Sequence, residues 1–333
     1  MNSRHTVAFA LMAGLFIVVF LLSMSVGRFP VPFGTVFKAM LSMEPEGGLS
    51  PQVETVLFRV RFPRVLLGAL VGAGLSCSGT VYQSIFRNPL VSPEFLGASS
   101  GAALGAAFAI LNGFGWKTVS LFAFLSGISA VGLVVLVNVR SRVDPILGFL
   151  LAGIMVGSLC SAGLSYLKLI ADPNDSLPAI TYWLMGSLAS ARREDVLFAA
   201  PLILSGLSVL FIMRWRINIL SVGEEEARSM GVDVRMVRGG SVLGATFVTA
   251  ACVSVSGVIG WIGLVVPHFA RFAVGADCRR SIPASILLGG SLLPATDILS
   301  RTLSTSEVPI GILTAFVGAP FLLFLIMRDR RES

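Results

Sequence analysis

The sequence predicts an all-α, polytopic membrane protein with ten transmembrane helices and both termini in the cytoplasm. Composition supplies the first two observations: 55% of the 333 residues are hydrophobic and only 13% are charged, and the mean hydropathy is +0.86. These values exceed those of an ordinary soluble domain. The third observation is the length of the uncharged runs, which match the roughly 20 residues that a helix needs to cross about 30 Å of hydrocarbon.

Nine such runs follow one another along the chain. The first is long enough to span, and Ser23 to Arg28 offers no convincing small-residue cleavage site, so we interpret it as a helix and not a secretory signal. The seventh holds 32 residues between Arg238 and Arg271, too many for one ordinary span and too few for two full ones. Its glycines at 257, 260 and 263 predict a break into two helices, one of them short or tilted. The runs are 6 to 27, 65 to 86, 95 to 116, 118 to 139, 145 to 167, 196 to 213, 239 to 270, 281 to 296 and 308 to 327.

Lysine and arginine in the loops determine the expected orientation, because positive residues stay on the cytoplasmic side. With an even number of helices and cytoplasmic termini, fifteen of the 25 lysines and arginines lie inside. The net charge of +7 then follows from membrane topology, so no nucleic-acid partner is needed and membrane lipid is the expected surrounding. The inside set is Arg4, Arg87, Arg140, Arg142, Arg214, Arg216, Arg228, Arg235, Arg238, Arg271, Arg279, Arg280, Arg328, Arg330 and Arg331.

The stretch from Arg87 to Glu94 is predicted to be a tight cytoplasmic turn between the second and third helices. Asn88 and Pro89 end one helix, because proline lacks an amide donor and keeps the residue before it out of helical geometry. Pro93 suits the first turn of the next helix, with Glu94 near its positive end.

The same punctuation occurs twice and predicts an internal repeat. The pattern S-G-x9-P-x7-G recurs at an offset of 178 residues. Because the second helix is expected to run inward and the seventh outward, the copies would be inverted, as is common in transporters. A coincidence of common membrane residues is the alternative. The pattern residues are Gly79, Pro89 and Gly97 in the first copy and Gly257, Pro267 and Gly275 in the second.

Residues that carry enzymatic or metal chemistry are sparse. The three lysines, at 38, 117 and 168, are not preceded by glycine, so the chain has no phosphate-binding P-loop and any ATP is expected to be hydrolysed by a partner. His268 has no carboxylate or thiol nearby in sequence and is interpreted as a structural turn residue, not a metal ligand or proton relay. The four scattered cysteines are expected to be small core residues. We expect neither a cofactor nor a metal in this chain.

Three classes of function compete at this point. An ion-coupled secondary transporter needs ionisable groups in mid-membrane, and the interiors of the predicted spans carry none. An intramembrane enzyme needs a nucleophile with a base, or a metal cluster. A permease driven by a separate ATPase needs only docking surfaces and a smooth pathway, and the sequence favours this class.

Three stretches carry a family resemblance: RFPRVLLGALVGAGLSCSGTVYQSIFRNPLVSPEFLGASSGA (61 to 102), GVIGWIGLVVPHFARFAVGADCRR (257 to 280) and ATDILSRTLSTSEVPIGILTAFVGAPFLLFLI (295 to 326). They closely resemble the permease subunit of the ABC importers for iron–siderophore complexes, haem and cobalamin. The resemblance extends over nearly the whole chain, although the first 50 residues contribute little. It implies a single transmembrane permease domain over 1 to 333, with a first half to about residue 190 and a second half from about residue 191.

The resemblance also implies an assembly in the bacterial or archaeal cytoplasmic membrane. The expected partners are a second copy of the permease, two cytoplasmic ATPase subunits that bind ATP and Mg, and a periplasmic or lipid-anchored substrate-binding protein. The sequence does not reveal the cargo, since related permeases carry ferric siderophores, haem, cobalamin or molybdate. Ferric siderophore is the expectation on prevalence alone.

A polar segment, 214 to 239, is the predicted contact with the ATPase. Its core, GEEEARSMGVDVRMVR (223 to 238), opens with three glutamates and is expected to stop at a glycine, as in a short cytoplasmic helix. A solvated helix without a partner is the alternative. In the resembling family this segment is the coupling helix that fits a groove on the ATPase. The residues concerned are Glu224, Glu225, Glu226, Ala227, Arg228, Met230 and Gly231.

Arg61, Arg64 and Arg301 lie on the predicted outer side, against the charge bias. Either they snorkel at helix ends, or they form a positive collar for carboxylates of the binding protein. In the resembling family, arginines at these motif positions meet glutamates on the binding protein, which favours docking. Asp297, four residues before Arg301 on one helix face, is expected to pair with it.

The fifth helix carries a ridge of small residues at i, i+4 spacing. Such a ridge allows close helix packing or leaves room for a bulky chelate along a pathway wall. The resemblance places this helix beside the pathway axis, and the two interpretations are compatible. The ridge is Gly153, Gly157, Ser161 and Ser165, and the preceding turn, which contains Ser141 and Arg142, is expected near the inner gate.

Overall fold

The computed structural model describes residues 3–42 and 50–329, and all regular secondary structure in these ranges is helical. Seven of their helices are long and apolar enough to cross a membrane, and three shorter apolar helices accompany them. The predicted fold class is thereby confirmed, whereas the number of spans and the side of each terminus stay predictions. In chain order the helices are α1 (Ser3–Ser25), α2 (Phe33–Ser42), α3 (Pro51–Glu54), α4 (Phe62–Ile85), α5 (Ala98–Leu111), α6 (Trp116–Arg140), α7 (Pro145–Ile170), α8 (Ser176–Leu184), α9 (Arg193–Val222), α10 (Glu224–Ser229), α11 (Val234–Ser256), α12 (Ile262–Val274), α13 (Cys278–Thr302) and α14 (Ile310–Asp329), with a π-helical stretch at Thr55–Arg61 and a 3-10 turn at Pro93–Leu96.

Helix α4 lies at the centre of the bundle, where it contacts α9, α11, α12 and α13. Glycines let these backbones approach closely. A Cβ added to Gly72 would overlap the carbonyl group of Gly289 on α13, and one added to Gly79 would overlap that of Gly263 on α12. Close backbone packing of this kind helps to hold helices together in lipid, where the hydrophobic effect gives little attraction between them.

Replacing Gly79 with alanine is expected to lower the free energy of unfolding by about 1–3 kcal/mol, because the new Cβ must displace a backbone carbonyl and not a flexible side chain. Thermal unfolding of the detergent-solubilised chain measures the effect as a fall in Tm. Gly132→Ala is the matched control, since a Cβ at this position in α6 meets nothing within 4 Å. Equal Tm values for the two variants would contradict the close approach of α4 and α12.

The predicted break between Arg238 and Arg271 is confirmed. Helix α11 ends at Ser256 and α12 begins at Ile262. Within the break, Gly257 has a φ of 68° and Trp261 a φ of 70°, so the chain changes direction there. With 13 residues, α12 is about 20 Å long and is the short helix of the expected pair.

The connection between α4 and α5 differs from the predicted tight turn. Helix α4 ends at Ile85 and Pro89 lies in the loop that follows, as expected. Pro93, however, opens a 3-10 turn and not the next α-helix. Gly97, with a φ of 79°, separates this turn from α5. A left-handed residue reverses the chain locally, so α5 begins three residues later than the predicted span.

Helix α5 begins halfway across the bundle. The carbonyl oxygen of Ala98, its first residue, lies 3.1 Å from the position that a Cβ on Gly127 would take. Gly127 lies near the midpoint of the 25-residue α6. With 14 residues, α5 is about 21 Å long and extends from this level to the outer end of α6. The segment from Pro93 to Gly97 therefore lies at mid-depth, and the prediction that the connection is wholly cytoplasmic is wrong.

The two copies of the proline and glycine pattern adopt different local structures. Gly79 lies inside α4, whereas Gly257 follows the end of α11. Pro89 lies in a loop, whereas Pro267 lies inside α12. Gly97 and Gly275 both have a positive φ, 79° and 85°, but their ψ values of 5° and 176° differ. The inverted repeat therefore stays a prediction.

His268 lies within α12, so the interpretation of this residue as part of a turn is wrong. Its Nε2 lies 3.1 Å from the carbonyl oxygen of Pro89. A hydrogen bond to a loop carbonyl is a structural role, and it joins α12 to the connection between α4 and α5.

Candidate docking, coupling and gate sites

Two of the outer arginines, Arg64 and Arg301, pair with acids in a largely buried network. Arg64, at the outer end of α4, donates from Nη2 to Oδ1 of Asp297 and to Oε2 of Glu307, both at 2.8 Å. Its Nη1 donates to Oε1 of Glu307 at 3.1 Å. The side chains of Arg64 and Asp297 are 6% and 1% exposed. The Arg64 guanidinium thus joins α4, α13 and the connection that precedes α14. Its hydrogen bonds are charge-assisted, which makes them stronger than those between neutral groups.

Arg301 and Arg61 attach the end of α1 to this network. Arg301 pairs with Asp297 at 3.1 Å, as the i, i+4 spacing predicted, and its Nη2 donates to Oγ of Ser23 at 2.8 Å. Nη1 of Arg61 donates to the carbonyl oxygen of Met24 at 2.7 Å. The last carbonyl groups of a helix lack intrahelical donors, so these guanidinium groups cap α1. We call Arg61, Arg64, Arg301, Asp297 and Glu307 the outer network.

Burial of the outer network changes what its arginines offer to a partner. Arg61, Arg64 and Arg301 are only 4%, 5% and 6% exposed, and each already donates to acceptors inside the chain. Snorkelling into open water does not describe them. Their visible contacts hold α1, α4 and α13 together, and their contact with a binding protein stays a prediction.

Two exposed arginines lie close to the outer network. Arg28 follows α1 and donates to the carbonyl oxygen of Thr305. Arg59 precedes Arg61 by two residues on the π-helical stretch. Their exposed guanidinium groups keep donors available for carboxylates of a partner. Only burial distinguishes Arg28 and Arg59 from the network arginines, and burial cannot be read from the sequence around them.

The predicted cytoplasmic helix exists as α10, and Gly231, with a φ of 75°, lies just beyond its end as expected. Only residues 223 to 233 of the segment 214 to 239 lie outside α9 and α11. Ala227 is fully buried and packs in one cluster with Ile219, Leu220, Val232, Val234 and Val237. Glu224 pairs with Arg228 at 3.5 Å and also with Arg238 of α11. Helix α10 is therefore fastened to α9 and α11 along one side.

The other side of residues 223 to 238, which we call the coupling segment, is exposed to solvent. Glu225 and Glu226 are exposed, and Met230 and Met236 are 61% and 69% exposed. Exposed apolar side chains at a protein surface are typical of partner interfaces, and methionine adapts its shape to a groove. Contact with an ATPase stays a prediction for these residues.

The predicted gate residues face the coupling segment. Ser141 and Arg142 lie in the connection between α6 and α7 and line a cavity of about 390 Å³. Arg235 and Arg238 of α11 line the same cavity. Arg238 also pairs with Glu224 of α10, so this one residue links α10 to the cavity beside the connection between α6 and α7.

The ridge of small residues on α7 divides into two parts. Gly153 is buried, and a Cβ there would lie 3.2 Å from Cα of Leu96 and closer still to the carbonyl oxygen of Phe95. Gly157 lies beside Gly97. These two positions serve close packing. The remaining two, Ser161 and Ser165, are exposed, and for them a place on the pathway wall stays a prediction.

Metal-binding groups do not gather in the described ranges, where no set of three or more His, Cys, Asp or Glu side chains is arranged to hold an ion. All four cysteines are buried and free. They occupy core positions, as the sequence predicted.

Comparison with known proteins identifies a family and several relatives that this chain resembles. The model of the FecCD transport family matches residues 15–328. The chain is 36% identical over 317 residues to the molybdate import system permease protein MolB of Haemophilus influenzae, covering 95% of this chain and 94% of that protein. It is 41% identical to the cobalamin import system permease protein BtuC of Halobacterium salinarum, with coverages of 85% and 76%. It is 39% identical to the hemin transport system permease protein HmuU of Yersinia pestis, with coverages of 83% and 84%.

The chain is also similar to solved structures. A metal-chelate type ABC transporter in an inward-facing conformation superposes with a TM-score of 0.87 at 35% identity, covering 97% of this chain and 99% of that one. A chain of PsaBC from Streptococcus pneumoniae superposes with a TM-score of 0.52 at 16% identity, which shows a shared fold only.

Proposed function

Because this chain belongs to the FecCD transport family of ABC importer permeases, we propose that it imports a metal chelate and that a ferric siderophore is the cargo. The similarity to a metal-chelate type transporter over 97% of the chain supports the metal-chelate class. Its relatives are named for molybdate, cobalamin, hemin and iron chelates. Haem, cobalamin and molybdate are therefore the alternative cargoes.

The permease is a multi-pass protein of the bacterial or archaeal inner membrane. In this proposal, ATP hydrolysis in partner chains supplies the energy for transport. Its three lysines lie outside any P-loop pattern. The proposed assembly is a permease homodimer with two cytoplasmic ATPase subunits, which bind ATP and Mg, and a substrate-binding protein on the outer side.

We place the transmission of the ATPase movement at α10. Nucleotide-driven closure would shift the exposed side of the coupling segment, and the buried Ala227 and the Glu224 to Arg238 pair would pass that movement to α11. Arg235 and Arg238 share a cavity with Ser141 and Arg142, so a displaced α11 would reposition the connection between α6 and α7. Alternating access follows if this connection closes the inner end of the pathway.

We place binding-protein docking on the outer surface that the outer network braces. The exposed Arg28 and Arg59 would supply the charge-assisted contacts. The buried Arg61, Arg64 and Arg301 would hold the helix ends in register beneath them.

Reconstitution tests the proposed function. The chain is incorporated into proteoliposomes with its ATPase and binding protein, and uptake of a radiolabelled ferric siderophore is compared with uptake of haem, cobalamin and molybdate. We expect accumulation of the ferric siderophore that requires both ATP and the binding protein. Transport of another cargo in its place would contradict the siderophore and retain the permease. Uphill transport without the ATPase would contradict the permease itself.

A further inference from the structure

Glu94 is an acid at mid-depth of the helix bundle, in the 3-10 turn three residues before Gly97. Two helices give the same level for this turn. Ala98 lies against the midpoint of α6. A Cβ added to Gly97 would lie 3.5 Å from the backbone nitrogen of Gly157, which is halfway along α7. Ionisable groups at this depth in a membrane protein are rare and usually functional.

Glu94 lines a cavity of about 720 Å³. Its other walls come from the end of α8, the break between α11 and α12, and the first half of α14, and they are largely apolar, with Met185, Trp261 and Phe316 among them. Among the described residues that line it, Glu94 alone is ionisable. A Cβ on Gly260 would lie 2.9 Å from Oε1 of Glu94, so the missing side chain at Gly260 keeps this wall open beside the carboxylate.

No hydrogen bond or ion pair reaches the Glu94 side chain from the described part of the chain, and that side chain is exposed to the cavity. An isolated carboxylate in apolar surroundings is costly unless water or a ligand reaches it. Water or a ligand in the cavity would meet this need, because the other lining residues supply no counter-charge. Low-dielectric walls concentrate the field of such a charge within the cavity.

We propose that Glu94 is a specificity-determining residue of the transport pathway, where its carboxylate favours cargo that carries positive charge or N–H and O–H donors and disfavours small oxyanions. The proposal rests on the proposed permease function in treating this cavity as part of the pathway. A donor-bearing chelate gains a contact from the carboxylate, whereas molybdate meets a charge of its own sign. Glu94 thus separates two of the alternative cargo classes.

A reporter thiol tests the charge of the cavity without knowledge of the cargo. Ala319 lines the same cavity and is exposed, and the native cysteines are buried, so Ala319→Cys supplies an accessible thiol in the full-length chain. The probes are a trimethylammonium-ethyl and a sulfonatoethyl methanethiosulfonate, used on the chain in proteoliposomes. We expect the cationic reagent to react faster, and Glu94→Gln to lower the ratio of the two rates about tenfold. Glu54→Gln removes an acid that does not line the cavity and is expected to leave the ratio unchanged.

An unchanged ratio after Glu94→Gln would overturn the proposal. A thiol that neither reagent modifies would also overturn it, because the cavity would then be closed to any cargo. The assay needs neither ATP nor a binding protein. Failed uptake in the reconstituted importer therefore contradicts the permease function, whereas a flat labelling ratio contradicts the role of Glu94.

Discussion

Replacing Arg64 with alanine is expected to lower the free energy of unfolding by about 3–5 kcal/mol, because Glu307 loses its partner and the buried Asp297 keeps only Arg301. Asp297 is 1% exposed, so water does not replace the lost guanidinium there. The change would appear as a fall in Tm of about 10 °C for the solubilised chain. Arg64→Lys retains the charge but loses the planar fork that reaches both Asp297 and Glu307, so an intermediate fall is expected.

Arg59→Ala is the matched control, since Arg59 is exposed and lies two residues before the buried Arg61. Its Tm is expected to stay unchanged. Binding of the substrate-binding protein, measured on the folded fraction of each variant, separates the two roles of the outer arginines. If Arg61→Glu or Arg64→Glu keeps its Tm and loses docking, the sequence-based docking hypothesis stands and the structural role is contradicted. If Arg59→Ala and Arg28→Ala lose docking with Tm intact, the contacts lie on the exposed pair.

Local patterns in the sequence predicted those features of the fold that depend on neighbouring residues. The length between Arg238 and Arg271, together with its glycines, predicted the break that separates α11 from α12. The three glutamates and Gly231 predicted α10, since a helix prefers acids at its start and glycine beyond its end. The predicted sixth span stopped at residue 213, yet α9 continues to Val222. Arg214 and Arg216 interrupt the apolar run but do not end the helix.

The features that the sequence did not predict depend on contacts between distant residues. Arg64 and Glu307 are separated by 243 positions, and nothing in the local pattern of either residue indicates their pairing. The level of Glu94 depends on how α5 packs against α6 and α7. Its position before an apolar run predicted a cytoplasmic turn, and only the packing of Gly97 and Ala98 shows the mid-depth position.

Replacing Met230 with glutamate is expected to weaken association with the ATPase and to reduce coupled uptake by about tenfold or more. Met230 is 61% exposed beside α10, and a charge there would be buried without a partner if the segment docks in an apolar groove. Met236→Glu tests the same face, since Met236 is 69% exposed. Co-purification with the ATPase and uptake in proteoliposomes measure the two effects.

A point substitution at Met230 is a sharper test than deletion of residues 224 to 230. The deletion also removes the buried Ala227 and the Glu224 to Arg238 pair, so lost uptake after it could reflect a disrupted cytoplasmic cluster. Arg216→Gln is the comparison variant, because Arg216 lies in the segment 214 to 239 but is exposed on α9, outside α10. Normal association and uptake with both methionine variants would contradict the coupling role. A matching loss in Arg216→Gln would mean that the contact surface extends along α9, since a groove that receives α10 alone would leave Arg216 untouched.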